Sequence, residues 1–391
     1  MSSPARAVGA GGVALGALAF WLALPPLAER SVAGPIVVGA LAVAAGIWSI
    51  SRHEVRLGSG AVVAGACGAL LGVVATRAGV ANLEGVVVWS ALVAAMLRFA
   101  TPLTFAAIGG MFSERSGVVN IALEGMMLTG AFFGIWGADR TGTWVAGLLI
   151  AMAAGAVFGL VHAVFAIHLR ADQIVGGTAI NFLALGLTGF LFVDIYGSSG
   201  TPDLRSSQQI PDVTLSKGSD FFSSAFGQLN LMIWISFALL VLSYLVMFRT
   251  PVGLRIRAVG EHPLAADTVG ISVYATRYAA VVLSGVLAAL GGAYLSIGFV
   301  HSFNENMTAG RGFIALAALI FGKWRPFGAF GAALLFGFSS ALAQRLGGVA
   351  DWGSYAVLFQ ALPYVLTLIA VAGVIGRSIP PAAVGRPYEK Q

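Results

Sequence analysis

Residues 144–167 read WVAGLLIAMAAGAVFGLVHAVFAI, an apolar run in which His162 is the only ionisable side chain. A helix needs about 20 apolar residues to cross about 30 Å of hydrocarbon, and this run is long enough. Eleven further segments are similarly apolar: Ala7–Leu27, Val32–Ile50, Ala61–Thr76, Val86–Phe112, Val118–Trp136, Ile174–Tyr196, Leu229–Phe248, Ala279–Phe299, Phe313–Gly322, Phe327–Gln344 and Tyr355–Ile375. The sequence therefore predicts an all-α fold, a polytopic transmembrane helical bundle with about 12 hydrophobic segments.

The composition agrees with a chain embedded in a lipid bilayer. Of its 391 residues 58% are hydrophobic and only 10% are charged, whereas soluble domains have about 25% charged residues. The 52 glycines suit membrane helices that pack backbone to backbone. Cys67 is the only cysteine, which excludes an intrachain disulfide and a cysteine-rich metal site. The net charge of +6 does not indicate a nucleic-acid partner, since in membrane proteins the side on which basic residues lie matters more.

The distribution of Lys and Arg predicts the orientation. If all twelve segments cross, the connections on one side hold fourteen of these residues and those on the other side hold seven. The richer side is expected to be cytoplasmic, which places both termini there in a multi-pass protein of the plasma membrane. The polar connection Gly197–Gln228 then lies outside and the basic connection Arg249–Arg277 lies inside. The first apolar segment is interpreted as a spanning helix, because no convincing cleavage site follows it.

The polarity of the segments divides the chain into three parts. Residues 1–85 form a plain Ala/Val/Gly-rich extension of about three transmembrane helices, and residues 86–377 carry polar groups and glycines within or beside their helices. We expect the functional transmembrane domain at 86–377 and a cytoplasmic tail at 378–391.

Two segments have the character of broken helices. Phe313–Gly322 would span only about 15 Å at 1.5 Å per residue, so its helix is expected to start inside the membrane after non-helical backbone at Asn304–Gly312. The segment Ser116–Gly125 enters in a similar way from the opposite side, although no residue-level identity relates the two. Such a pair is what an inverted repeat would give, and it points to a central site.

Polar residues near these breaks are candidates for a translocation path, because polar groups inside a membrane are costly. Asn120 and Glu124 are expected at positions i and i+4 of one helical face, and Arg311 could neutralise Glu305. The candidate path residues are Asn120, Glu124, Asn181, Phe303, Glu305, Asn306 and Arg311. They could exchange hydrogen bonds with a polar solute, with Phe303 or Phe313 stacking on its ring, or they could simply satisfy backbone groups at the broken helices.

The basic connection contains a second candidate site. Pro263 suits the first turn of a short helix, and Gly270 suits its end. Ala265, Ala266 and Val269 would form a small apolar face that could dock into a groove on a cytoplasmic partner. An ordinary solvated loop with one helical turn fits the same pattern.

The sequence lacks the motifs of a membrane enzyme. Gly322-Lys323 is not followed by Ser or Thr, so there is no phosphate-binding loop, and no nucleophile–base constellation occurs. His162 and His168 are six residues apart, which suits no shared metal on a helix face.

The connection carries a family resemblance. Leu264-Ala265-Ala266 with Gly270 is similar to the loop through which permeases of ATP-binding-cassette (ABC) importers contact their ATPase, with Leu264 where that pattern has Glu. Three stretches resemble the ribose/branched-chain amino acid class of these permeases, and the third of them, Asn306–Trp324, resembles its nucleoside-uptake branch in particular. The matching stretches are Gly260-Glu261-His262-Pro263 through Ile271, then Thr101–Leu103 with Ser113–Met127, and finally Asn306–Trp324.

The resemblance implies the permease subunit of an importer that moves a small polar solute by alternating access, most simply a nucleoside, with a sugar or branched-chain amino acid next. It implies a coupling loop of Glu261, His262, Pro263, Leu264, Ala265, Ala266 and Gly270. The implied partners are a second homologous permease in a heterodimer, a nucleotide-binding ATPase subunit and an extracellular substrate-binding lipoprotein. This chain would bind no cofactor, and ATP with Mg²⁺ would bind to the ATPase.

Two alternatives to an ABC importer permease are an ion-coupled secondary transporter and a membrane-embedded assembly subunit without a translocation path of its own.

Overall fold

The computed structural model describes residues 4–22, 31–77, 88–197, 200–215, 220–347 and 378–390. Within these residues the chain forms fourteen α-helices. They are α1 (Pro4–Trp21), α2 (Ala33–Ser51), α3 (Val55–Arg77), α4 (Trp89–Arg115), α5 (Leu123–Thr141), α6 (Trp144–Ala163), α7 (Gln173–Tyr196), α8 (Asp220–Phe226), α9 (Leu231–Arg249), α10 (Pro251–Glu261), α11 (Pro263–Thr268), α12 (Val273–Ala293), α13 (Arg311–Phe321) and α14 (Pro326–Gly347).

Short irregular elements complete the described structure. The strands β1 (Asp212–Thr214) and β2 (Gln228–Asn230) pair as an antiparallel ribbon, and a 3₁₀ turn covers Ser206–Gln208. π-helical turns extend α6 over Val164–His168 and α12 over Tyr294–Val300. The expected all-α fold is thus confirmed.

Eight helices of the described part are long and apolar enough to cross a membrane: α2, α3, α4, α6, α7, α9, α12 and α14. Of the four other predicted segments, three fall at least in part on the described helices α1, α5 and α13, and the last, Tyr355–Ile375, lies outside the described residues. The polytopic helical bundle is therefore confirmed, whereas the number of about twelve segments stays a prediction.

The described chain divides into two compact units. The first combines residues 1–92 with 343–376, and the second combines residues 93–342 with 377–391. In the first unit, α1, α2 and α3 pack at glycines such as Gly16, which lies against the backbone of Ala64, and Gly39, which lies against Ala69. The predicted domain boundaries at 85 and 377 stay predictions.

Helix α12 is the most buried of the eight spanning helices, and it packs against α5 and α6 in the second unit. Glycines permit this close packing: a Cβ atom at Gly130 of α5 would overlap the backbone of Ala289, and one at Gly155 of α6 would overlap Gly285. Small residues let helices approach closely where lipid supplies no hydrophobic driving force. The core of this unit is consequently built on backbone contact as much as on large side chains.

A substitution at Gly130 tests this packing. We expect Gly130→Ala to destabilise the protein by about 1–3 kcal/mol, because the added methyl group overpacks the contact with Ala289. Gly186→Ala is the matched control, since nothing lies within 4 Å of a Cβ atom there. Thermal unfolding in detergent, followed by gel filtration, should show a lower midpoint for the first variant only. Equal midpoints for both variants would contradict the role of close helix contact.

Candidate functional site

The short helix α13 begins as the sequence predicts. It covers Arg311–Phe321, about 16 Å at 1.5 Å per residue, and follows a series of turns. Several residues of these turns have left-handed backbone, with φ of 59° at His301, 54° at Asn306 and 85° at Gly310. The expected non-helical lead-in and half-helix are therefore both present.

The helix α5 begins later than the sequence predicts. The predicted helical segment starts at Val118, but regular helix starts at Leu123. Gly117 has a φ of 98°, and the Ser113 hydroxyl donates to the Val118 carbonyl at 2.8 Å, which holds the chain in a turn after α4. Asn120 consequently lies outside the helix, and the expectation that it shares a helical face with Glu124 is wrong.

Side chains from other helices form hydrogen bonds with the non-helical backbone before α5. The Val119 N–H donates to Gln173 Oε1 at 2.7 Å, and the Val119 carbonyl lies 2.9 Å from His162 Nε2. The Asn120 side chain is fully buried and donates to Ser284 Oγ on α12 at 2.8 Å. Unpaired backbone groups are costly away from water, so these bonds make the break possible.

Asn181 on α7 also forms hydrogen bonds with the non-helical backbone before α5. Its Nδ2 donates to the Ile121 carbonyl at 3.0 Å, and its Oδ1 accepts from the Gly125 N–H at 2.8 Å. The nitrogen and the oxygen of the side-chain amide are thus both hydrogen-bonded to backbone around the start of α5. In this conformation Asn181 has the structural role that the sequence left open.

Glu124 joins the two broken helices. Its Oε1 accepts from the Gly310 N–H at 2.8 Å and its Oε2 accepts from the Gly312 N–H at 2.6 Å, while only 8% of the residue is exposed. Glu124 lies in the first turn of α5, and the two donors lie at the start of α13. The positive ends of both helices therefore meet at one carboxylate, which stabilises a negative charge there.

The remaining candidate path residues lie around the lead-in to α13. Glu305 and Asn306 are exposed, and Arg311 donates to the carbonyls of Met307 and Thr308 at 2.9 and 3.1 Å. Phe303 is buried, with its ring centroid 5.2 Å from that of Phe132 and 5.3 Å from that of Phe192. Stacking of Phe303 on a solute would require these rings to separate, and it stays a prediction.

The loop between α10 and α12 has the short helix that the sequence predicts. His262 caps α11, because its Nδ1 accepts from the Ala265 N–H at 3.2 Å, and Gly270 ends the turn with a φ of 82°. Pro263 occupies the first helical position.

The apolar face of α11 differs from the predicted one. Ala266 is buried against its own chain, whereas Leu264 is 40% exposed and Val269 is 73% exposed. Ala265 is also exposed. Ala266 therefore belongs to the core, and the face available to a partner is formed by Leu264, Ala265 and Val269.

Three charged residues near these sites, Glu114, Arg115 and Arg277, were not among the predicted site residues. Glu114 accepts a 2.5 Å hydrogen bond from Trp324 Nε1, and the Arg115 guanidinium donates to the Trp324 carbonyl at 3.0 Å. Arg277, counted among loop residues, lies inside α12 and is 1% exposed. A charged residue flanking a long apolar run was the available signal, but its distant partners could not be read from the sequence.

A family model for the branched-chain amino acid transport system permease component matches residues 92–371. The chain belongs to this family. The permease is 46% identical over 329 residues to the guanosine ABC transporter permease protein NupQ of Bacillus subtilis, which covers 79% of the chain and 99% of the relative. It is 41% identical over 309 residues to the nucleoside ABC transporter permease protein NupC of Lactococcus lactis, which covers 76% and 96%.

A more distant relative is also informative. The guanosine ABC transporter permease protein NupP of Bacillus subtilis is 24% identical over 253 residues, covering 62% of the permease and 70% of the relative. No solved structure matches the permease. The resemblance to the branched-chain amino acid class is thus confirmed, and the family match begins near the start of α4, beyond α1–α3.

Substitution of Glu124 tests the junction of α5 and α13. Glu124→Gln replaces one acceptor oxygen with a donor, so one of the N–H groups of Gly310 and Gly312 loses its partner. We expect a loss of about 1–3 kcal/mol, measured as a lower unfolding midpoint in detergent. Glu305→Gln, on an exposed side chain, should leave the midpoint unchanged. A Glu124→Gln protein as stable as the control would show that the junction contributes little.

Proposed function

We propose that the permease moves nucleosides inward as the membrane-spanning subunit of an ATP-driven importer. The observation that carries this proposal is the 46% identity to a guanosine permease over 99% of that relative's length. The relative from Lactococcus lactis, named as a nucleoside permease, supports the same substrate class. A nucleoside is neutral and rich in hydroxyl and amide-like groups, which suits the uncharged polar residues and the few carboxylates near the broken helices.

The candidate path is proposed at the lead-in to α13. Glu305 and Asn306 are exposed there, next to the junction that Glu124 makes with Gly310 and Gly312. Asn120, Glu124 and Asn181 would hold the walls of the path in this conformation, because their polar groups are engaged by backbone and by Ser284.

The coupling loop Glu261–Gly270 is proposed to receive the force of ATP hydrolysis. Leu264, Ala265 and Val269 present an apolar face on a capped, well-defined helix, which fits a groove on another protein. The ATPase, with its ATP and Mg²⁺, would be a separate nucleotide-binding subunit. Its closure would move α11 and rock the core helices around the path.

We propose a heterodimer with a second, homologous permease, and an external lipoprotein that delivers the solute. Two guanosine permeases of Bacillus subtilis, NupQ and NupP, are both related to this chain, and their unequal identities of 46% and 24% suit two non-identical subunits. The proposed orientation places both termini in the cytoplasm of a cell with the permease in its plasma membrane. The Ala383 N–H donates to the Gly260 carbonyl, which supports a location of the C-terminal segment and the coupling loop on the same side of the membrane.

A charge on the exposed face of α11 tests the docking. We expect Val269→Glu to release the ATPase from detergent-solubilised complexes, because a carboxylate would have to be buried in an apolar groove. Leu215→Glu is the matched control, a similarly exposed apolar residue beside the β1–β2 ribbon. Co-purification of the ATPase should fall for the first variant and persist for the second. Full retention with Val269→Glu would exclude this face as the docking site.

Uptake by the reconstituted complex tests the function itself. Proteoliposomes with both permeases, the ATPase and the lipoprotein should accumulate radiolabelled guanosine only when ATP is on the ATPase side, and excess unlabelled nucleoside should compete whereas glucose should not. Accumulation driven by an ion gradient without ATP would contradict the importer. Competition by glucose but not by nucleosides would contradict the substrate class.

A further inference from the structure

The described C-terminal segment, residues 378–390, lies across the coupling loop and the turn that precedes α5. We name this segment the C-terminal strap. Its Ala383 N–H donates to the Gly260 carbonyl at the end of α10 at 2.9 Å. Two residues later, the Gly385 N–H donates to the Gly117 carbonyl at 3.1 Å. One short piece of backbone thus bonds both elements.

The end of α10 and the turn before α5 are also in direct contact. A Cβ atom at Gly260 would overlap the carbonyl of Arg115, so only a glycine permits this approach. Glu261 adds a second link, because its Oε2 accepts from the Ala382 N–H at 3.2 Å while its Oε1 lies 4.0 Å from Arg115 Nη1. The strap therefore closes over a contact that is already tight.

Arg277 links the C-terminal strap to the turn before α5. Its Nε donates to the Ser116 carbonyl at 3.2 Å and its Nη1 donates to the Arg386 carbonyl at 3.1 Å. The residue is 1% exposed, and a buried cation is costly unless acceptors surround it. Removal of the strap would take away one of these two carbonyls, so the arginine and the strap depend on each other.

Tyr388 packs the strap onto the coupling loop. It is 4% exposed and belongs to one apolar cluster with Val259 of α10, Ala266 of α11 and Val273 of α12. The burial of Ala266, which the sequence analysis did not predict, is thus explained in part by the strap. Glu389 continues the attachment through an ion pair with Arg170.

We propose that the C-terminal strap makes the coupling loop and the turn Ser116–Ala122 move as one body, so that motion of α11 reaches the start of α5. This inference rests on the proposed function, because it assigns the path by which the force from the ATPase enters the core. Tyr388 and Arg277 are positioning residues in it, and neither needs to touch the solute. The turn in question carries Val119 and Asn120, whose bonds hold the broken helix.

The test uses the full reconstituted complex with Tyr388→Ala and with a chain that ends at Ile379. Lys390→Ala is the control, since Lys390 is exposed beyond the apolar cluster. We expect both strap variants to retain the ATPase and hydrolyse ATP, while the number of guanosine molecules accumulated per ATP falls several-fold. Lys390→Ala should keep the ratio of the unaltered complex. An unchanged ratio in the strap variants would overturn the inference.

Hydrogen exchange supplies a readout that does not depend on transport. Backbone amides in 261–271 and in 116–122 should exchange faster together in both strap variants, and not in Lys390→Ala. Faster exchange in only one of the two segments would overturn the inference, as would loss of the assembled complex in both variants, which would make the strap a folding element. If the unaltered complex shows no ATP-driven uptake, the proposed function fails, and the exchange measurement still decides whether the strap links the two segments.

Discussion

Backbone that leaves the helical conformation inside a membrane protein must find hydrogen-bond partners within the protein, because hydrocarbon offers none. In the part of the permease that the structure describes, two such stretches precede α5 and α13. Glu124 is the connection between them, since its two oxygens accept the N–H groups of Gly310 and Gly312. Several polar side chains of the second compact unit form hydrogen bonds with the non-helical backbone before α5.

The support comes from helices that are distant in sequence. His162 and Gln173 pair with Val119, while Asn181 pairs with Ile121 and Gly125. These side chains need a fixed distance to the break, and the close packing of α5 and α6 on α12 provides it. A core of this kind is expected to move by rigid-body rotation of packed elements, because tightly packed interfaces do not deform continuously.

The sequence predicted what local signals determine. Long apolar runs predicted the spanning helices, and the short apolar run that starts at Phe313 predicted α13. Pro263 and Gly270 predicted the bounds of α11. It did not predict the late start of α5, which depends on a left-handed Gly117 and on partners from α6 and α7.

Long-range contacts account for the other differences. The burial of Arg277 and Ala266 is set by elements far away in sequence, including the C-terminal strap. Of the candidate site, the residue types near the breaks were therefore predictable, but their partners were not. Glu124 illustrates the difference, because a polar role was expected from its place in an apolar segment and its bonds to Gly310 and Gly312 were not.

In the proposed mechanism, a separate ATP-hydrolysing subunit drives the permease through α11. An electron cryomicroscopy structure of the complete, transport-competent complex tests it most directly. We expect Leu264 and Val269, which are exposed in the isolated chain, to be buried in a groove of a nucleotide-binding subunit. A map in which both side chains face solvent or lipid, with the nucleotide-binding subunit docked elsewhere on the permease, would contradict it.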